Sequence, residues 1–275
     1  MNFIGIIPAR YASTRFPGKP LAMIGDKPMI QRVYEQAKKA LDTVVVATDD
    51  ERIYNCVRGF GGEVVMTRTD HKCGTDRCLE AYENISVYSR STPDRPSGDP
   101  RKDLGDDGDV IINIQGDEPF IQPEQIEAIK SCFDIEGTDI ATLVKPFTEA
   151  DTLEALENPN TPKVVFNPEN GDAILFSRSV IPYLRGIARE EWLSQHKHYR
   201  HIGMYAYRAE VLAEITTLPQ SPLELAESLE QLRWLENGYK IRVAVCNTYS
   251  MGIDTPEDLQ NAVAFLAKNE RPLGY

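Results

Sequence analysis

The sequence contains no apolar run approaching the roughly 20 residues that cross a bilayer as a helix, so no membrane-spanning segment is expected. Its first residues lack the basic start and long apolar stretch of a secretory leader, so none is expected there. Cysteine is scarce and scattered: Cys56, Cys73, Cys78, Cys132 and Cys246 are odd in number and form no C-x-x-C pair. That set suits reduced thiols and a cytoplasmic location better than a disulfide framework. Positive charge is in deficit, with Lys+Arg 30 against Asp+Glu 42 and a formal net charge of −12. A chain this acidic repels nucleic-acid phosphate, which argues against DNA or RNA as a partner. Two familiar glycine signatures for phosphate are missing. Gly18-Lys19 is followed by Pro20 with no glycine at position 13, which excludes a Walker A loop. No G-x-G-x-x-G follows the first apolar run, which excludes a dinucleotide fingerprint.

What is present starts at the N-terminus. Phe3 to Ile7 is apolar without alternation, as expected of a strand buried on both faces of a parallel sheet, and Pro8 is expected to end it. The loop beyond carries Arg10, Arg15 and Lys19 with Ser13, Thr14 and Gly18, and no acid before Asp26. A loop after a first buried strand lies at the carboxyl end of the sheet, where open α/β folds bind ligands. Local cations and exposed backbone N–H groups in an acidic chain point to a polyphosphate cradle; the plain alternative is a solvated basic loop.

The rest of the first half alternates. A helix from Pro28 shows Met29, Ile30, Val33, Tyr34, Ala37 and Leu41 on one face. A strand at Thr43–Thr48, a helix capped by Asp49-Asp50 and ended by Gly61-Gly62, and a strand at Glu63–Met66 follow. This is a doubly wound pattern in a chain of 275 residues, long enough for one α/β domain with an elaboration. A helix is expected from Thr75 or Asp76 to about Ile85, with Arg77 in its first turn, where a cation opposes the helix dipole and invites an anion; the alternative is a surface arginine. Ser89 to Asp109 is rich in Pro, Gly, Asp, Arg and Ser, and reads as a mobile insertion.

Val110–Ile114 is a further buried strand, ended by Gln115-Gly116-Asp117-Glu118-Pro119. Asp117 there is either a magnesium ligand facing the basic loop or a turn carboxylate capping the helix near Pro123. After a strand at Asp139–Val144 the pattern turns antiparallel, with a hairpin of Lys163–Phe166 and Ala173–Phe176. In the strand Tyr199–Tyr207, period two places His201, Gly203 and Tyr205 on one face, as sugar-hydroxyl ligands or as core residues. The H-x-H-x-x-H of His196, His198 and His201 is a weak zinc signal, because Arg200 in that strand has no companion thiol or nearby acid. One helix is expected from Ser221-Pro222 to Asn237, then a strand at Ile241–Val245. Asp254 precedes a helix start at Thr255-Pro256, as its cap or as a metal ligand.

Taken in order, Ile7–Pro20, Gln115–Pro119, Phe176-Ser177-Arg178, His201–Tyr205, Leu229–Arg233 and Gly252–Pro256 resemble the 3-deoxy-manno-octulosonate cytidylyltransferases, also called CMP-Kdo synthetases, over nearly the whole chain. The resemblance implies a fold of the nucleotidyltransferase-A type, α/β with a mostly parallel central sheet, helices on both faces and an antiparallel extension. It divides one domain into a nucleotide-binding part to about residue 144, a sugar-acid and dimerisation extension over about 145–250, and a C-terminal helix over about 255–269. It implies CTP and the sugar acid Kdo as substrates, Mg²⁺ as cofactor, a homodimer and a place in lipopolysaccharide biosynthesis. Pro8, Ala9, Arg10, Ser13, Lys19, Gly74 and Arg77 would hold the nucleotide. Gln115, Arg178, His201, Tyr205, Glu230 and Gln231 would hold the sugar acid, and Asp117 and Asp254 the metal. Cys73 departs from the serine usual before Gly74, and the segment after Ser89 is longer than usual. Rival readings are a transferase for another sialic-acid-like sugar, a sugar-1-phosphate nucleotidyltransferase, which favours Gly-x-Gly where this chain has Ala9-Arg10, and a non-catalytic nucleotide sensor.

The insertion generates a prediction. Its composition cannot repay the entropy of ordering it, and loop closure changes by only about 0.6 kcal/mol per doubling of length. Replacing Ser91–Asp106 by a short Gly/Ser linker should therefore leave kcat within about threefold, roughly 0.7 kcal/mol of barrier. A steep loss in a folded variant would make the segment part of the working site.

Overall fold

The computed structural model describes residues 1–12, 16–91, 108–248 and 251–269. The chain forms two compact units, one from residues 1–126 with the segment after 248, the other from Glu127 to Thr248. In the first, the chain runs through β1 (Phe3–Ala9), a small hairpin of β2 (Met23–Ile24) and β3 (Lys27–Pro28), α1 (Met29–Ala37), β4 (Thr43–Thr48), α2 (Glu51–Gly59), β5 (Val64–Met66), α3 (Gly74–Ser91) and β6 (Val110–Asn113). Helix α4 (Pro123–Ser131) leads into the second, with β7 (Ile140–Pro146), α5 (Leu153–Glu157), β8 (Lys163–Phe166), β9 (Ala173–Ser177), α6 (Trp192–Gln195), β10 (Tyr199–Arg208), α7 (Ala209–Ile215), α8 (Pro222–Glu227), α9 (Gln231–Glu236) and β11 (Ile241–Val245). The first unit is completed by α10 (Pro256–Asn269).

Apart from the β2–β3 hairpin, the strands of the first unit lie in the order β6-β1-β4-β5, all parallel. Every residue of β4 is buried, as are Ile4, Ile6 and Ile7 of β1, which is why these runs show no polar alternation. The chain steps from β1 outward to β5, then returns to the other side of β1 to form β6. That reversal makes a topological switch point between the carboxyl ends of β1 and β6.

In the second unit β7 pairs antiparallel with β10 and parallel with β11, and β8 with β9 forms the expected hairpin. The antiparallel elaboration therefore begins with β7, and the compact first unit stops at Ile126, before the expected division near 144.

Four local expectations change. Strand β1 runs through Pro8 to Ala9. The Ile6 carbonyl accepts from Ile114 N–H, so Ile6 and Pro8 point to the β6 side, and the register with β6 ends at Ile6↔Asn113; the N–H that Pro8 lacks has no ladder partner to lose. Helix α3 starts at Gly74 and continues to Ser91, past Ile85. The helix expected from Ser221 to Asn237 is two, α8 and α9, broken at Ser228 with φ 51°. The Glu227 and Ser228 carbonyls at that break accept from the Arg178 guanidinium, at 2.5 and 3.2 Å, so tertiary hydrogen bonds replace the helical ones. Lastly, Arg200 does have an acidic partner, Asp151, 49 residues away in sequence. Most of the insertion, residues 92–107, lies outside the described residues. Its end, Asp109, is buried and accepts hydrogen bonds from Asn2 Nδ2 and the Tyr82 hydroxyl, each at 2.9 Å.

Candidate active site

At the switch point of the first unit lies a cavity of about 310 Å³. One wall is the end of β1, with Pro8, Ala9 and Arg10, and another is the turn that carries Lys19 and Pro20. His71 to Gly74 and Arg77 bring the start of α3, and Gln115 to Asp117 follow β6, with Asp254 beyond. The expected nucleotide and metal residues meet here; Ser13 lies outside the described residues.

Backbone geometry presents Lys19. Gly18 takes φ 71° before a single 3₁₀ turn, Lys19–Leu21, and its N–H closes the loop on the Tyr11 carbonyl at 2.9 Å. The positive φ favours glycine, and a Cβ there would crowd the Tyr11 ring at 3.0 Å. Gly116 is needed for close approach, since its Cβ would lie 3.0 Å from the Pro8 carbonyl oxygen.

The Lys19 ammonium donates to Asp117 Oδ2 at 2.7 Å and to Asp254 Oδ1 at 3.2 Å. The two carboxylates come from different loops, tied by the Ile253 N–H donating to the Asp117 carbonyl at 2.9 Å. Ile253 is fully buried with Ile24, Met29, Phe120 and Ala262, and Phe265 of α10 packs edge-on to Phe120, with ring centroids 5.0 Å apart. The core thus holds the loop that presents Asp254.

Helix capping, the ordinary reading of both aspartates, is done by other residues. Thr255 caps α10, accepting from the Asp258 N–H at 3.2 Å, while Asp258 accepts from the N–H groups of Asp254 and Thr255 and from the Thr255 hydroxyl. The Thr255 hydroxyl, with those two N–H groups, holds the Asp258 carboxyl below its usual range. At the start of α4 the Gln122 N–H donates to Gln125 Oε1 at 2.9 Å. Two carboxylates converging on one cation, beside a cation-lined cavity, are a donor set that Mg²⁺ accepts when phosphate oxygens and water complete its octahedron.

Arg77 lines the cavity and is buried, and its guanidinium is held by the protein. Nη2 donates to Asp49 Oδ2 at 2.7 Å, and Nη1 donates to the Thr67 hydroxyl and to the Arg68 carbonyl at 3.2 Å. It ties the ends of β4 and β5 to α3; capping of α2 falls to Asp50, which accepts from Arg52 N–H. Cys73, standing for the expected serine, accepts from the Asp76 N–H at 3.4 Å through Sγ, so the sulfur takes the place of a hydroxyl at the start of α3. His71 and Lys72 are cavity residues that the sequence reading did not single out. His71 Nε2 bonds Glu80, whose burial would raise its carboxyl, but hydrogen bonds from His71 and the Arg68 N–H outweigh this and lower it. Nine positions separate His71 from Glu80, and only the fold of the loop before α3 brings them together.

Of the expected sugar-acid residues, Gln115 lines this cavity. The other five belong to the second unit. Arg178 donates to the carbonyls of Glu227, Pro159 and Ser228, using three of the five N–H groups of its fork. Strand β10 is irregular between Ile202 and Tyr205 where it pairs with β7, yet the His201 and Tyr205 rings still adjoin, with centroids 5.2 Å apart. The Thr142 hydroxyl donates to the Met204 carbonyl at 2.8 Å, and His201 Nε2 lies within hydrogen-bond distance of the same hydroxyl, at 3.0 Å. Tyr205 stands edge-on to Trp234 at 5.1 Å. Burial pushes the Tyr205 phenol well up, and the Glu230 charge adds to it. Glu230 accepts from Arg233 at 2.8 Å, and Gln231 is buried at the start of α9.

Three comparisons bear on this geometry. Residues 4–241 match the cytidylyltransferase family model. Over 97% of this chain and 99% of its own length, a Parabacteroides distasonis protein named 3-deoxy-manno-octulosonate cytidylyltransferase is 62% identical. One of the same name from Bacteroides thetaiotaomicron is 59% identical over 97% of this chain and 98% of its own length. Among solved structures, a CMP:2-keto-3-deoxy-manno-octonic acid synthetase complexed with CTP superposes with a TM-score of 0.82 at 38% identity, covering 98% of this chain and all of that one. The expected fold class holds.

Desolvation pushes the His201 imidazole down to about 3. Its folded value lies below its unfolded one, near 6.5, so its contribution to stability is full above the unfolded value and is lost as pH falls toward 3. Between pH 7 and pH 5, wild type should lose on the order of 1 kcal/mol more stability than His201→Gln, measured by urea unfolding. Equal losses would mean that the imidazole is not held neutral.

Proposed function

The chain belongs to the cytidylyltransferase family, among the 3-deoxy-manno-octulosonate cytidylyltransferases, and from that premise we infer that it converts CTP and Kdo to CMP-Kdo and diphosphate. The observation that carries the reading is the convergence of Lys19, Asp117 and Asp254 at the switch-point cavity. A sensor of nucleotide has no use for such a carboxylate pair.

In this reading the anomeric hydroxyl of Kdo attacks the α-phosphorus of CTP in line. The new phosphorus–oxygen bond forms as the bond to the bridging oxygen of the β-phosphate breaks, and the hydroxyl proton passes to solvent. The protein's part is to position and to neutralise. Arg10 and Lys19 meet the charge that gathers on the departing diphosphate, and the Gly74 and Ala9 backbones border the nucleotide. Arg77, fixed by Asp49 and Thr67, adds positive field and holds the strand ends that shape the cavity. Asp117 and Asp254 would hold Mg²⁺, which would supply further neutralisation of phosphate and acidify the attacking hydroxyl. The planar fork of Arg178 suits the Kdo carboxylate, while the neutral His201 imidazole and the Tyr205 phenol, with Glu230 and Gln231 of the same unit, suit its hydroxyls. The same family membership supports a cytoplasmic homodimer serving lipopolysaccharide synthesis.

Diphosphate release from CTP with a panel of keto-sugar acids tests the reading. Kdo should be turned over fastest; preference for another sialic-acid-like sugar would reassign the substrate, and no release with any would remove the activity. Asp117→Asn and Asp254→Asn should each lower turnover by about 100-fold or more, roughly 2.7 kcal/mol of barrier, with thermal unfolding little changed. Near-normal turnover in either would take that residue out of the site.

A further inference from the structure

Lys19 is not only a cation of the cavity wall. Its ammonium bonds both aspartates at once, and its side chain is 14% exposed, against 30% for Asp117 and 49% for Asp254. Two carboxylates brought to one point repel each other, and a cation between them relieves that repulsion. The ammonium is a compact point charge that supplies that cation. It occupies one oxygen of each carboxylate, Asp117 Oδ2 and Asp254 Oδ1. Its base is fixed by the Gly18 turn, while its four-carbon stem leaves the head movable.

We propose that Lys19 is a resident counter-ion of the carboxylate pair, which a divalent cation must displace and which the triphosphate of a nucleotide draws away. This deepens the nucleotide reading above and rests on it. Without nucleotide, a dication gains the two carboxylates only by expelling an ammonium that then loses both of these ion pairs. With nucleotide, the ammonium moves to phosphate oxygens and the pair opens. Metal and nucleotide are thereby coupled, and each tightens the other by the same factor.

Mn²⁺ binding to the full chain, followed by electron paramagnetic resonance, tests this in wild type, Lys19→Met, Lys19→Gln and Lys72→Met. Lys72 lines the same cavity and reports any general effect of removing a positive charge. Without nucleotide, Lys19→Met and Lys19→Gln should bind Mn²⁺ at least tenfold more tightly than wild type, and Lys72→Met less than threefold. CTP should then tighten Mn²⁺ binding in wild type by at least tenfold more than in the Lys19 variants, after correction for Mn²⁺·CTP in solution. Lys19 variants no tighter than wild type, or a Lys72→Met gain as large as theirs, would overturn the proposal. If CTP alters Mn²⁺ binding in none of the proteins, the nucleotide reading fails, and the nucleotide-free comparison still decides whether Lys19 is the counter-ion. Lys19→Gln keeps a hydrogen-bond donor to both carboxylates, so a folding defect in Lys19→Met alone does not remove the test.

Discussion

Two ionised carboxylates in a small volume repel each other, and here the Lys19 ammonium bonds both and offsets that repulsion. Much of the first unit serves that contact. Gly18 turns the chain so that Lys19 faces the cavity, and Gly116 lets the loop after β6 pass against Pro8 closely enough to bring Asp117 in. The Asp254 loop is held from behind by buried Ile253 and by the packing of α10. Burying a side chain such as Ile253 is worth about 1.5–3 kcal/mol, more than most exposed ion pairs contribute, so the apolar anchor rather than the charge contact fixes where Asp254 sits.

The parallel sheet explains why these parts meet at one place. All four strands of the first unit's main sheet point the same way, so the loops after β1 and β6 emerge at the same end, on either side of the point where strand order reverses. Arg77 secures the adjoining end of the sheet by bonding Asp49 after β4 and Thr67 after β5. In the second unit a comparable framework is built from rings. Phe176, His201, Tyr205 and Trp234 pack edge to face or tilted, and desolvation among them lowers the imidazole pKa and raises that of the phenol.

Much of this was legible in the sequence because the signals were local. Unbroken apolar runs marked β1, β4 and β6, and the Asp50 cap and the Ser221-Glu224 capping box lay where helix starts were expected. Arg10 and Lys19 in the loop after β1 and Asp117 after β6 drew notice from their place beyond buried strands, whereas Asp254 read as a helix cap on its own residues and became a metal ligand only through the family resemblance. What remained hidden depended on distant partners. Asp109 looked solvated because Asn2 and Tyr82 are its partners only in the fold. Arg77 looked available because neither Asp49 nor Thr67 is near it in sequence. The break at Ser228 was invisible because helical spacing continues through it, and it is hydrogen bonding to Arg178 that opens the backbone there. His71 was passed over because Glu80, which holds it, lies beyond the start of α3.

The cavity's chemistry is that of a site that positions and neutralises. Its cations and carboxylates suit a direct displacement at phosphorus, and Cys73, the thiol on its wall, accepts a hydrogen bond at the start of α3. A single in-line attack inverts the configuration at the α-phosphorus, whereas a covalent nucleotidyl intermediate would invert it twice. The most direct measurement is therefore the stereochemical course with CTP made chiral by sulfur at the α-phosphorus. The account predicts inversion in the CMP-Kdo analogue; net retention would contradict it.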